Sequence, residues 1–194
     1  MCALVLIIDV AFVTVIWADG VETFRGVVAE ERRVLGLQVN AEAKLFIDMS
    51  TELAHDWVIE RTGVGEWLSM MRQGPWSNVM NHGWVVVETA VLGLQLFAAR
   101  LAVLVLSFPL FIAIGGTAIA DGLFAWLMRR TSGARESGFI YHRAKRAVPA
   151  FLLVFWAVYL LPPTPLDPRW VLPPFIVAFA VALRLRVSYF KKHI

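Results

Sequence analysis

From Trp84 to Met128 the chain runs for 45 residues with only Glu88, Arg100 and Asp121 charged. A helix of that length reaches about 67 Å, more than twice the ~30 Å hydrocarbon core of a bilayer. Such a run folds in one of two ways. It turns near Ser107–Pro109 and crosses a membrane twice, or it crosses once and continues as a surface or cytoplasmic helix. The flanking charge separates the two. Residues 19–83 hold ten acids against six Lys or Arg, whereas 129–147 hold six Lys or Arg against one acid, Glu136. Short basic loops stay on the cytoplasmic side. One crossing places the acidic and basic regions on opposite sides, and this is the expected arrangement, with a bend at Pro109 or Gly115–Gly116.

The rest of the chain reads as membrane protein too. It is 59% hydrophobic and 17% charged, against about 45–50% and about 25% for soluble domains. Residues 1–18 form a first apolar run, broken by Asp9 and read as a retained transmembrane anchor rather than a signal peptide, because no basic leading region and no Ala-x-Ala site accompany it. In 19–83, Val21, Phe24, Val28 and Leu35 step at helical spacing, interrupted by Glu31. Asn40 is placed to cap a second helix, on which Phe46, Met49, Leu53 and Trp57 share an apolar face. Lys44, Asp48, Glu52, His55 and Asp56 fall largely on the other side. Beyond Gly63 the pattern loosens into a loop with room for one short helix, and Trp67, Trp76 and Trp84 suit a membrane interface.

Toward the C-terminus, 147–161 and 170–183 are short apolar segments. Six of the nine prolines lie between 162 and 174 and prevent either helix from running through. The expectation is a helical hairpin closed by a proline turn, with Pro149 in the first turn of its first helix. The expected fold is therefore an all-α integral membrane protein with four transmembrane helices. The boundaries are 1–18 for the first, 19–83 for a helical extracytoplasmic region, 84–128 for the long second, 129–147 for a basic cytoplasmic loop, 148–187 for the hairpin and 188–194 for a cytoplasmic tail. Both termini are then cytoplasmic, in a bacterial inner membrane.

Candidate chemistry is sparse. Asp9 and Arg100 are intramembrane charges, and a lone ion at the bilayer centre costs about 3 kcal/mol or more, so they are expected to pair. The alternative for Arg100 is snorkelling to an interface. Cys2 is the single cysteine, which excludes an internal disulfide and multi-cysteine metal sites. His55, His82, His142 and His193 have no metal-ligand spacing, and no phosphate loop or Gly-x-Ser-x-Gly elbow occurs. Ser50, Ser69 and Ser77 have no evident base. No catalytic, cofactor-binding or metal residue is expected, and the chain is read as non-enzymatic. Gly116 and Ala120 make a small-xxx-small pair suited to close helix packing.

The basic stretch invites attachment. Arg135, His142, Arg143, Lys145 and Arg146 surround Phe139, Ile140 and Tyr141. Aromatic anchors beside arginines are typical of protein interfaces, and polybasic juxtamembrane clusters also bind anionic lipid. Both remain open, as does self-association; sequence-specific nucleic-acid binding is not expected.

The segment ESGFIYHRAKR, followed by LPPTPLDPRW, resembles a family of integrating conjugative element membrane proteins, small multi-spanning proteins of conjugative transfer modules. The resemblance covers most of 84–192 and is strongest from Arg135 to Trp170; the N-terminal half matches only in plan. It implies an inner-membrane accessory of a conjugative type IV secretion system that acts as scaffold or adaptor. Its partners would be membrane lipids and other conjugation or secretion subunits, including a coupling ATPase. It implies no catalytic residues. The competing reading is a small transporter or channel subunit using Asp9, Gln95, Arg100 and Thr117.

Overall fold

A computed structural model describes residues 2–16, 20–38, 40–61, 63, 66, 70, 77–132 and 138–190. Every element among them is helical. Helix α1 (Cys2–Ala11) continues into a π-helical turn over Phe12–Ile16. It is followed by α2 (Gly20–Gln38), α3 (Ala41–Ile59), α4 (Ser77–Ser132), α5 (Gly138–Leu160) and α6 (Pro168–Ser188). Two compact units emerge, Met1–Leu106 with Leu160–Asp167, and Ser107–Tyr159 with Pro168–Ile194.

Helix α4 is 56 residues long and stays helical through Pro109, so no tight turn interrupts it at 107–109. The proline leaves the Val105 carbonyl without its usual donor, and the division between units falls just ahead of it, at Leu106 and Ser107. Residues 129–132 complete α4 and 138–147 open α5, so most of the expected basic loop is helix. Ala144, Lys145 and Arg146 are good helix formers, and helix propagation across them is favourable. Pro149 therefore lies inside α5 rather than in its first turn. It is exposed there.

Among the described residues, two helices are long and apolar enough to cross a membrane, residues 85–132 within α4 and α6. The four expected spans are thus not shown as such. The apolar helix at the N-terminus covers only Ala3–Val15, about 20 Å of rise. The first turns of α5 carry Arg143, Lys145 and Arg146, which shortens its apolar part. The short helix expected beyond Gly63, with Trp67 and Trp76, lies outside the described residues, as does the Trp84 side chain.

In the first unit, the apolar stripe of α2 does what its spacing predicts. Phe24 and Val28 are buried with Val13 and Leu96, and Val21 and Leu92 pack against them. Leu35 is buried as well. Asn40 caps α3, its Oδ1 accepting from the Ala43 N–H at 3.0 Å. Helix α3, however, buries Ile47 and Thr51 and turns Phe46, Met49, Leu53 and Trp57 outward. Gly93 of α4 is where α1 approaches closely: a Cβ there would lie 2.6 Å from Asp9 Oδ2 and 3.3 Å from Leu6 Cδ2.

In the second unit, α4 and α6 run parallel. Phe111 meets Phe179 with centroids 5.8 Å apart, and further along Trp126 donates to the Phe190 carbonyl at 3.0 Å. Helix α5 runs back along α4, since its Phe155 lies 5.6 Å from Phe111 and 5.0 Å from Phe175. The close seam is not at Gly116 and Ala120, which are exposed; a Cβ on Gly116 would touch nothing within 4 Å. It lies one residue earlier in phase, at Gly115, Ala118 and Gly122, all buried. A Cβ on Gly122 would stand 2.9 Å from the Arg184 carbonyl oxygen and 2.9 Å from Val187 Cβ.

Candidate functional site

The chain concentrates polar chemistry in two places, a buried ionic clamp in the first unit and a basic end in the second. The clamp begins with Glu31, the residue that interrupts the α2 stripe. Stepping three residues from Val28 and four from Leu35, it must point inward, and it is 1% exposed. A carboxylate there needs a cation and hydrogen bonds. Arg100 of α4, 0% exposed, supplies both. Its Nε donates to Glu31 Oε1 at 2.7 Å and its Nη2 to Glu31 Oε2 at 2.6 Å, a two-point fork.

The remaining donors of Arg100 reach the proline-rich segment between α5 and α6. Nη1 donates to the Pro162 carbonyl at 2.7 Å and Nη2 to the Thr164 carbonyl at 2.6 Å. The Leu166 N–H donates to Glu31 Oε2 at 3.4 Å. Three stretches of sequence, from α2, α4 and 162–166, are thus held by one guanidinium and one carboxylate. A proline-rich segment lacks amide donors and cannot make its own ladder, so its carbonyls are satisfied here by side chain.

This corrects the expected Asp9–Arg100 pair. The ion-pair partner of Arg100 is Glu31. Asp9 is also buried, but its Oδ2 has no hydrogen-bond partner and sits against Gly93. Gly93 and Arg100 are seven residues apart, about 10 Å along the helix. Arg100 thus acts on Asp9 as a nearby charge rather than as a bonded partner. Snorkelling of Arg100 is likewise replaced by complete enclosure.

All three charges within the long apolar run are partnered. Glu88 pairs with Arg25, Arg100 with Glu31, and Asp121 with Arg184. Gln95 is engaged as well: its Oε1 accepts from Arg32 at 3.0 Å and its amide nitrogen lies 2.9 Å from His55 Nδ1. Thr117 turns its hydroxyl back to the Ile114 carbonyl at 2.8 Å. On the outer side of α2, hydrogen bonds from Arg33 hold the Glu30 carboxyl below the usual carboxylate range. Being exposed, that pair adds little stability.

The second place is the end of the Ser107–Tyr159 and Pro168–Ile194 unit where α4 and α6 finish and α5 begins. Arg129 Nη1 donates to the Ser188 carbonyl at 3.1 Å, and its guanidinium lies 3.7 Å from the centre of the Tyr189 ring. Arg130 sits 5.3 Å above Trp126. On α5, Ala144 and Val148 are buried while His142, Arg143, Lys145 and Arg146 are exposed, so the basic residues form the outer arc of that helix. Arg135 lies outside the described residues. Phe139 and Tyr141 are in α5, but their side chains are outside what is described. No group of three or more His, Cys, Asp or Glu among the described residues is arranged to hold a metal ion.

These features define a class: an all-helical protein with long, outwardly apolar helices, a buried ionic clamp and one basic end. The chain belongs to the DtrJ-like family, described as IncC plasmid conjugative DNA transfer protein DtrJ-like, whose model matches residues 15–191. That membership makes it a conjugative DNA-transfer protein; the more specific resemblance to membrane proteins of integrating elements is not what the match identifies. No curated protein and no solved structure matches the chain.

Proposed function

We propose that this protein is a non-enzymatic inner-membrane component of a conjugative type IV secretion apparatus, including that of an integrative element, in which it acts as scaffold or adaptor. Membership of a conjugative DNA-transfer family supports the setting. The observation that carries the membrane part is the outward apolar band on α4. Phe108, Leu110, Ile112, Ile119, Leu123, Phe124, Leu127 and Met128 are all 40% or more exposed. The band spans about 30 Å, the thickness of the hydrocarbon core. Only 28% of the most apolar window of α4 and 17% of that of α6 are buried, unlike the core helix of a soluble domain.

In this reading α4 crosses once through its second half, and α5 and α6 complete a membrane hairpin. The basic end faces the cytoplasm and the acidic 19–83 region lies outside. The arc of Arg143, Lys145 and Arg146 then docks an acidic surface, on anionic lipid or on a cytoplasmic subunit such as a coupling ATPase. With no nucleotide-binding motif, the protein draws on that partner for energy. Contacts engaging Arg100, Gln95 and Thr117 lend no support to a transport path.

The test is the variant Arg143→Glu/Lys145→Glu/Arg146→Glu in donor cells. Each basic residue near an anionic surface contributes about 1 kcal/mol, so three reversals are expected to weaken docking at least about a hundredfold. Membrane insertion is expected to persist, with loss of partner co-purification and a matching fall in DNA transfer. Normal recovery and normal transfer contradict the docking role.

A further inference from the structure

Helix α3 presents an apolar surface left exposed among the described residues. Leu45, Phe46, Met49, Leu53 and Trp57 are 64%, 41%, 51%, 64% and 60% exposed. They share one arc of the helix, opposite the buried Ile47 and Thr51, and the stripe is about 18 Å long. Isolated apolar side chains on a surface need no explanation, whereas a contiguous patch marks a contact.

The border of the stripe is acidic. Asp48, Glu52 and Asp56 follow one another at four-residue steps along one side, and Glu42 and Glu60 stand at its two ends, all exposed. Lys44 is the one basic residue between 41 and 60. That border selects the occupant. Helices that lie on a bilayer carry Lys or Arg beside the apolar face and gain from anionic headgroups; here the sign is reversed. A second copy of the chain would set acidic row against acidic row, which like-charge repulsion disfavours.

We propose that α3 docks a different protein subunit through an apolar ridge bordered by Lys or Arg. Met49, Leu53 and Trp57 are the anchors, and Glu52 and Asp56 select the partner. The inference rests on the reading of the chain as part of an assembly, but it concerns a surface separate from the basic arc of α5.

The experiment places p-benzoylphenylalanine at Leu53 or Trp57 of the full-length chain in donor cells carrying the transfer genes, with Ile47 as a buried control. Both exposed sites tolerate substitution. The expected result is an adduct with another protein, mapped by mass spectrometry to an apolar segment flanked by Lys or Arg. Adding Glu52→Lys/Asp56→Lys is expected to cut adduct yield roughly tenfold, the scale of misplaced charge at an interface, and to lower transfer. Adducts only with this chain, only with lipid, or with a partner lacking basic flanks overturn the proposal. So does an absence of adducts, or a yield unmoved by the two lysines. If α3 fails this test while reversal at 143, 145 and 146 still abolishes transfer, the adaptor reading stands and only the α3 interface falls.

Discussion

Arg100→Leu is expected to unfold the first unit under conditions where the native protein is intact, and Glu31→Leu to do nearly the same. Each single change leaves one buried ion without its counter-charge, a loss of about 3–5 kcal/mol. That is a large part of the ~5–15 kcal/mol by which domains are stable. The double variant Glu31→Leu/Arg100→Leu removes both charges and is expected to recover part of the loss. Full recovery is not expected, because Arg100 also serves the carbonyls of Pro162 and Thr164. Each of those acceptors, left buried without a donor, costs about 1–3 kcal/mol. Denaturant titration in detergent, read by tryptophan fluorescence, gives the full cycle. A coupling of about 2 kcal/mol or more between positions 31 and 100 is the expected result. Additive single effects would mean the two side chains do not form one clamp. Asp9→Asn is the control, and it is expected to leave the cycle unchanged.

Gly122→Val is expected to separate α4 from α6, while Gly116→Val two turns earlier is expected to be silent. At Gly122 the added Cβ meets a backbone carbonyl at 2.9 Å and the Cβ of Val187 at the same distance, neither of which can swing aside. The two helices would have to move apart. That removes the adjoining contacts, Trp126 to the Phe190 carbonyl and Arg129 to Ser188 and Tyr189. Overpacking of this kind costs about 1–3 kcal/mol before the secondary losses. Gly115→Ala, on the same seam as Gly122, is expected to be tolerated, since its Cβ would find ordinary contact with Phe179 at 3.4 Å and Leu183 at 3.5 Å. Disulfide trapping between cysteines placed at Asp121 and Arg184 reports the separation directly, and equal trapping in both valine variants would contradict the seam.

Much of this was legible in the residues and some was not, for identifiable reasons. The α2 stripe, the Asn40 cap, the length of α4 and the break at 161–167 follow from local rules of spacing, capping and proline chemistry. Glu31 was visible as an anomaly in the stripe, and Arg100 as one in the apolar run. What local rules do not give is that α2 lies parallel to α4 at a register bringing these two anomalies together. Asp9 was the nearer candidate only because it also lies in apolar sequence. The α3 stripe fails differently: periodicity reveals that a face is apolar but not whether the same chain covers it. The small-residue seam was misplaced by one step, since Gly115 and Gly116 are equivalent in composition and differ only in which side of α4 they occupy. The basic stretch reads as a loop because it is short and lies between two hydrophobic runs, although Ala, Lys and Arg extend a helix readily.

The topology proposed above puts the acidic 19–83 region outside and the basic end in the cytoplasm. Single cysteines at Glu52, Thr164 and Lys145, each in a Cys2→Ser background, test it by labelling with a membrane-impermeant maleimide in spheroplasts. Positions 52 and 164 are expected to label in intact spheroplasts, and position 145 only after lysis. Labelling of 52 and 145 from the same side would contradict that topology.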